Sequence, residues 1–265
     1  MVLESLFSPK KIINKPIDML IMSIIISGVC IFAAHFIFPT YAGIISPLLV
    51  TAAMAPLIYR IFSIEEEVER EEAERKINLN FMQRHGETIL LFGLFFLGNL
   101  VSFFFVATFL PDQITSSLFA PQMEEIKRIQ SIATGSVLSD GFVMLIALNN
   151  LKVMGFSFLL SFLFGTGALF ILGWNASILG VYFANFIKQG DIAEFFNRAL
   201  GIAPHAPIEI GGYFLAGIAG GILSVGIIRE KFGTPEFNIV MKDSLLLLGL
   251  GVVAIIVGAY VEVYL

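Results

Sequence analysis

Cysteine is almost absent from this 265-residue chain: Cys30 is the only one. An intrachain disulfide and a cysteine-based metal site are therefore excluded. Charge is scarce as well. Asp, Glu, Lys and Arg make up 14% of the residues, where a soluble domain carries about 25%. No basic stripe runs along the chain, which excludes nucleic acid as a partner. There is no Gly-x-Ser-x-Gly, His-Glu-x-x-His or phosphate-loop motif. No catalytic residue, metal ligand set or cofactor is assigned on this basis, and the chain reads as non-enzymatic.

What is there is apolar. Hydrophobic residues reach 57%, with 27 Phe and 24 Gly, and the mean hydropathy is +0.88. Apolar runs of about 20 residues recur, the length that a bilayer core demands of a crossing helix. Phe suits lipid-facing surface, and Gly lets helices approach closely. The fold class expected is all-α: a polytopic transmembrane helix bundle of about seven spans, six being the alternative, with amphipathic surface helices. Membrane lipid is then an obligate partner.

Residues 1–14 form a short amphipathic lead-in with Leu3, Leu6, Phe7, Lys10 and Lys11. No small-residue cleavage site follows, so the first apolar run, 17–38, is read as a retained span rather than a signal peptide. Span two is 43–61, with Pro47 and Pro56 as kink points. Residues 63–87 are polar, with seven glutamates between positions 65 and 74. Glu66/Arg70, Glu71/Arg75 and Glu72/Lys76 are favourable i,i+4 pairs. They predict a solvated helix continuing span two out of the membrane.

Span three is 88–110, closed by Pro111. In the polar stretch 111–140, Phe119, Met123, Ile126, Ile129 and Ile132 recur at helical spacing and predict an amphipathic helix lying on the membrane or on the protein. Residues 141–173 are apolar throughout. A straight helix of that length would measure about 50 Å, against the roughly 30 Å needed. The polar stretch Asn149-Asn150-Leu151-Lys152 is the expected break, leaving span four at 153–172. Residues 175–187 form a short span or a re-entrant hairpin. A surface helix at 192–200 follows, then spans at 207–228 and 243–261.

Placing the N-terminus in the cytoplasm leaves 11 Lys and Arg inside and 5 outside or at lipid level if 175–187 crosses, and 10 against 6 if it does not. Both counts favour a cytoplasmic N-terminus in the cell membrane. Seven spans would put the C-terminus outside the cytoplasm.

Ionisable groups at membrane depth are costly, so they carry a structural or functional reason. His205, Glu209 and Tyr213 fall on one helical stripe at i, i+4 and i+8. Pro204 and Pro207 place a helix start here, where the dipole favours an acid in the first turn and His205 can cap the end. The structural reading is that Pro204 to Glu209 fixes how the next helix enters the bundle. Ion, proton or ligand handling, and acid–base chemistry, stay open beside it. Asn149 and Asn150 start near the same face and are either an inter-helix clamp or part of a polar site with His205 and Glu209. Asn175, after Gly173-Trp174, is expected to cap the next segment. His35 and His85 are isolated in sequence and read as structural. Gly212, Ala216 and Gly220, with Gly217 and Gly221 repeating the spacing, form a close-packing face for another helix.

Asn149-Asn150 ahead of a glycine-bearing span, Trp174-Asn175-Ala176-Ser177-Ile178-Leu179-Gly180, and Pro204-His205-Ala206-Pro207-Ile208-Glu209 followed by Ala216-Gly217-Ile218-Ala219-Gly220 together resemble the stage II sporulation protein M family. The resemblance runs from about position 88 to the end, and archaeal relatives share the opening Leu6-Phe7-Ser8-Pro9-Lys10-Lys11 and the acidic loop. The family pattern has glycine after the histidine. Here it is Ala206, which tells against a role needing close backbone approach beside His205. The resemblance implies a five-span core, 88–265, preceded by a two-span hairpin with an acidic cytoplasmic helix, 1–87. In spore formers the family acts as a membrane scaffold that recruits cell-wall-degrading partners during engulfment. The expectation for this chain is a non-enzymatic scaffold or assembly factor that self-associates or binds other membrane proteins. A transporter or channel using Asn149, Asn150, His205 and Glu209 is the alternative, and an intramembrane hydrolase a weaker third.

Overall fold

The computed structural model describes residues 8–75, 80–133, 139–230 and 232–264. Among them every regular element is a helix. Seven helices are long and apolar enough to cross a membrane. These spans are α2 (Ile17–Ile37), the first part of α3 (Ala42–Arg75), α4 (Phe81–Phe109), α7 (Ser139–Phe164), α8 (Ala168–Lys188), α10 (Ala206–Arg229) and α11 (Pro235–Tyr264). The short helices α1 (Pro9–Asn14), α5 (Asp112–Leu118), α6 (Ala120–Ala133) and α9 (Ile192–Ile202) lie between or before them. Leu3, Leu6, Phe7 and Lys76 lie outside the described residues, as do the side chains of Glu66, Arg70, Arg75 and Ile132.

The first hairpin packs onto the rest of the bundle. In α2, Ile21, Ile25, Val29, Phe32 and Phe36 form an exposed stripe, while Met19, Met22, Ser27 and Ile31 turn inward. The Ser27 hydroxyl donates to Asn99 Oδ1 of α4 at 2.8 Å. Helix α3 is continuous for 34 residues, about 51 Å, so it does carry the acidic segment beyond the apolar span. Span three begins at Phe81 rather than at 88. A capping box sets the start: Gln83 N donates to Asn80 Oδ1, and Asn80 N to Gln83 Oε1.

The expected break at Asn149-Asn150-Leu151-Lys152 does not occur. Helix α7 runs straight through it, and the chain turns instead at 165–167. Asn150 stays helical because its side chain is satisfied across the bundle, accepting from Tyr213 Oη at 2.8 Å. Gly165 permits the turn with φ +74°. A Cβ on Gly167 would run into the Leu160 carbonyl. The fifth span is therefore a full 21-residue helix, α8, and the 175–187 segment is its second half. Asn175 does not cap it. It sits inside α8, donating Nδ2–H to the Ile171 carbonyl at 2.7 Å.

Helix α10 is the axis of the bundle. In its most apolar window 78% of residues are buried, against 28–44% in the other six spans. It contacts α7 and α11 most heavily and also meets α3, α4 and α8. Its small residues make this possible. A Cβ on Gly212 would lie 3.0 Å from the Gly251 carbonyl oxygen, and one on Gly217 would lie 2.6 Å from Ala168 Cβ. Gly220 faces the Phe158 carbonyl, Gly221 the Phe62 ring, and Ala216 is fully buried. The amphipathic α6 lies on the protein: Phe119 at its start is buried against Phe103, and Gln122 Nε2 donates to the Gly43 carbonyl and to Ser177 Oγ. Helix α9 has no buried residue and rests on the surface through Phe195.

Candidate functional site

At the end of the bundle where α7 and α10 begin, a cavity of about 840 Å³ opens. Asn149, Asn150, Asn175, His205, Glu209 and Tyr213 all line it. Three elements deliver them, the first half of α7, the middle of α8 and the entry of α10, and the last turn of α11 closes the wall with Glu262. Helices α6 and α9 form the rim. The Tyr213 hydroxyl donates to Asn150 Oδ1 at 2.8 Å, and Ser157 of α7 donates to the Tyr213 carbonyl at 3.0 Å. These bonds clamp α7 to α10. Asn149 contributes little to the clamp, its Nδ2 lying 3.4 Å from the same Asn150 oxygen.

Glu209 is 8% exposed, and its Oε1 is buried without a hydrogen-bond partner. Gly258 of α11 makes room for it, since a Cβ there would overlap the Glu209 side chain. Glu262, one helical turn further along α11, lines the same cavity. Sequence reading missed Glu262. It stands at the end of an apolar helix where a lone acid looks like an interface residue, and only Gly258 four positions earlier hints at a packed neighbour. His205 precedes α10 but makes no capping hydrogen bond with its side chain, contrary to expectation. Burial pushes its imidazole below the ordinary value, which keeps it neutral at pH 7. The two rim arginines are held by acids of their own helices: Arg128 by Glu125 and Arg198 by Glu194, the latter at 2.6 Å.

A second polar cluster lies at the opposite end. His85 Nδ1 stands 2.5 Å from Glu65 Oε1, and the Thr88 hydroxyl donates to Glu65 Oε2 at 2.5 Å. Arg84 donates to Asp243 Oδ2 at 2.6 Å, and His85 Nε2 lies 3.7 Å from that oxygen. Glu65, His85 and Asp243 are all buried. This network ties α3, α4 and α11 together. It corrects one expectation and gives His85 its structural role. The acidic segment is not solvated from its first residue, because Glu65 is inside. His85 is isolated only in sequence. Among the described residues, no three His, Cys, Asp or Glu are grouped to hold a metal ion.

Seven apolar helices with a polar recess sunk into one end define a multi-pass membrane protein. The sequence model of a family described as Stage II sporulation protein M matches residues 89–265, from the third span onward. The chain belongs to the stage II sporulation protein M family. No curated protein and no solved structure matches it.

Proposed function

We propose that this chain is a non-enzymatic assembly factor of the cell membrane that binds another membrane protein along the exposed face of α7. The reading is carried by Lys152. It sits in the middle of the 26-residue α7, is exposed, and makes no ion pair among the described residues. The helix ends are each about 18 Å away, and a charge at the bilayer centre costs about 2.5–3.5 kcal/mol on insertion scales.

Its neighbours on that face are Leu145, Leu148, Phe156, Leu159 and Leu163, all exposed. Their spacing of three and four residues makes a continuous seam with one cation at its centre. Gly155 beside it has open space where a Cβ would go, which suits close approach of another helix. A single polar residue in an apolar seam specifies register and partner. A parallel pairing of two copies through this face would set Lys152 against Lys152. The charge favours a partner helix bearing Asp or Glu at mid-depth. The Lys and Arg concentrated at the Glu65 end support a cytoplasmic placement of that end, with the cavity and the C-terminus on the other side.

A photocrosslinking residue at Leu159, which is exposed on the seam and does not line the cavity, activated in native membranes, tests the reading. The expected result is an adduct with one other membrane protein that is lost in Lys152→Met and kept in Lys152→Arg. An adduct indifferent to Lys152→Met, adducts with lipid alone, or an adduct with a second copy would each overturn it.

A transport reading draws on the unpartnered Glu209 at membrane depth. Two observations weigh against it. Its supposed broken helix is the continuous α7. The cavity wall at Phe96 also leads into packed rings, Phe96–Phe214, Phe214–Phe92 and Phe92–Phe62, with centroids 5.7–6.2 Å apart.

A further inference from the structure

We propose that the cavity between α7, α8, α10 and α11 binds a primary ammonium group carried on an apolar body. Glu209 is the anchor. A carboxylate oxygen that is buried, lacks a partner and faces a cavity is an acceptor waiting for a donor. Glu262 adds a second acid from the neighbouring span, and Gly258 lets the two share one wall. Neither acid has an ion-pair partner among the described residues, since the rim arginines are taken by Glu125 and Glu194. His205 is neutral and offers no compensating charge. Two acids thus face one cavity with no cation paired to either among the described residues, and an ammonium entering there meets both.

The rest of the wall selects the kind of cation. Phe96, Phe142, Phe156 and Trp174 supply apolar and aromatic surface, and the amides of Asn149 and Asn197 supply polar contacts. A calcium ion asks for six to eight oxygen ligands, far more than these side chains converge. Aromatic faces suit an organic cation. The volume falls in the range of small-molecule sites, roughly 300–1,000 Å³. The unsatisfied Glu209 oxygen needs an N–H, which a primary ammonium has and a quaternary one lacks. Such a group comes either on an aminophospholipid headgroup or on a free alkylamine.

Trp174 is the only tryptophan in the chain and lines the cavity, so its fluorescence reads occupancy directly. The full-length protein in phosphatidylcholine nanodiscs is titrated with octylammonium, octyltrimethylammonium and octanol. Octylammonium should give a saturable change in Trp174 emission. The other two should bind about tenfold more weakly or worse, the factor expected for losing a charged hydrogen bond. Glu209→Gln should weaken octylammonium by a similar factor and leave octanol unchanged. Glu262→Gln, at an exposed position, should weaken it less, and it decides the matter should Glu209→Gln not assemble. Adding phosphatidylethanolamine to the nanodiscs separates the sources: competition with octylammonium assigns the lipid headgroup, and no competition assigns the free amine. Equal responses to octylammonium and octanol, or octylammonium binding indifferent to both substitutions, would overturn the proposal. Leu148, Lys152 and Leu159 of the seam do not line the cavity, so the seam's test is independent of this result.

Discussion

The two ends of this bundle each bury acidic groups, and they handle them in opposite ways. At one end Glu65 accepts from Thr88 and meets His85, while Asp243 accepts from Arg84. At the other, Glu209 has a buried oxygen with nothing bonded to it, beside a second acid and a cavity. Both arrangements cost desolvation. Only the first recovers it within the fold. A carboxylate enclosed by its own partners works as a joint between helices. A carboxylate that faces space is placed for something from outside.

The sharpest way to break this contrast is to remove Glu65. Glu65→Ala leaves His85 and Thr88 without their acceptor inside the packed junction of α3 and α4. Removing one member of a buried pair costs about 3–5 kcal/mol. Thermal unfolding in detergent should show a large drop in Tm. A drop no greater than that of a surface substitution would mean that the network is not a joint.

The opposite result is expected at the other end. Glu209→Gln keeps the shape of a side chain whose buried Oε1 has no hydrogen-bond partner, so the fold loses little by it. Stability should be unchanged or should rise by about 1 kcal/mol. The decisive measurement is the difference between Glu209→Gln and Glu65→Gln in the same detergent. If the two substitutions lower Tm equally, Glu209 is as structural as Glu65 and the contrast fails.

Much of this was legible from the chain. The apolar runs expose the seven spans, and the small residues of α10 mark its close packing. The six polar residues that meet at the cavity stand out because apolar sequence surrounds them. Two things were hidden, for physical reasons. The Asn149-Asn150 pair looks like a helix break because polar side chains in lipid need partners, yet Tyr213 supplies one from 63 residues away. The real turn at Gly165-Thr166-Gly167 is nearly silent, since glycine and threonine barely interrupt an apolar run. Glu65 was masked by the six glutamates that follow it, and its burial depends on α4 folding back to bring His85 alongside. Glu262 needed the packing of α11 on α10 to acquire a meaning.

The smallest effect concerns His205, which shares the cavity with Glu209 and Glu262 and lies near the Glu194–Arg198 pair at the rim. Burial lowers its pKa in the folded state relative to the ordinary value of 6.5. The unfolded chain then takes up its proton first as pH falls. The linkage sign follows: His205 contributes stability above its unfolded pKa, and that contribution is lost as pH drops through the folded pKa. His205 is only half-buried, so solvent screens the effect and the change is modest. The acids around it titrate in nearby ranges, so the informative quantity is a difference. Tm measured between pH 7.5 and pH 5 should fall slightly more for the parent protein than for His205→Gln. Parallel pH profiles would show that His205 meets solvent freely, and a steeper fall in His205→Gln would show that its proton is held by the carboxylates of the cavity rather than excluded by burial.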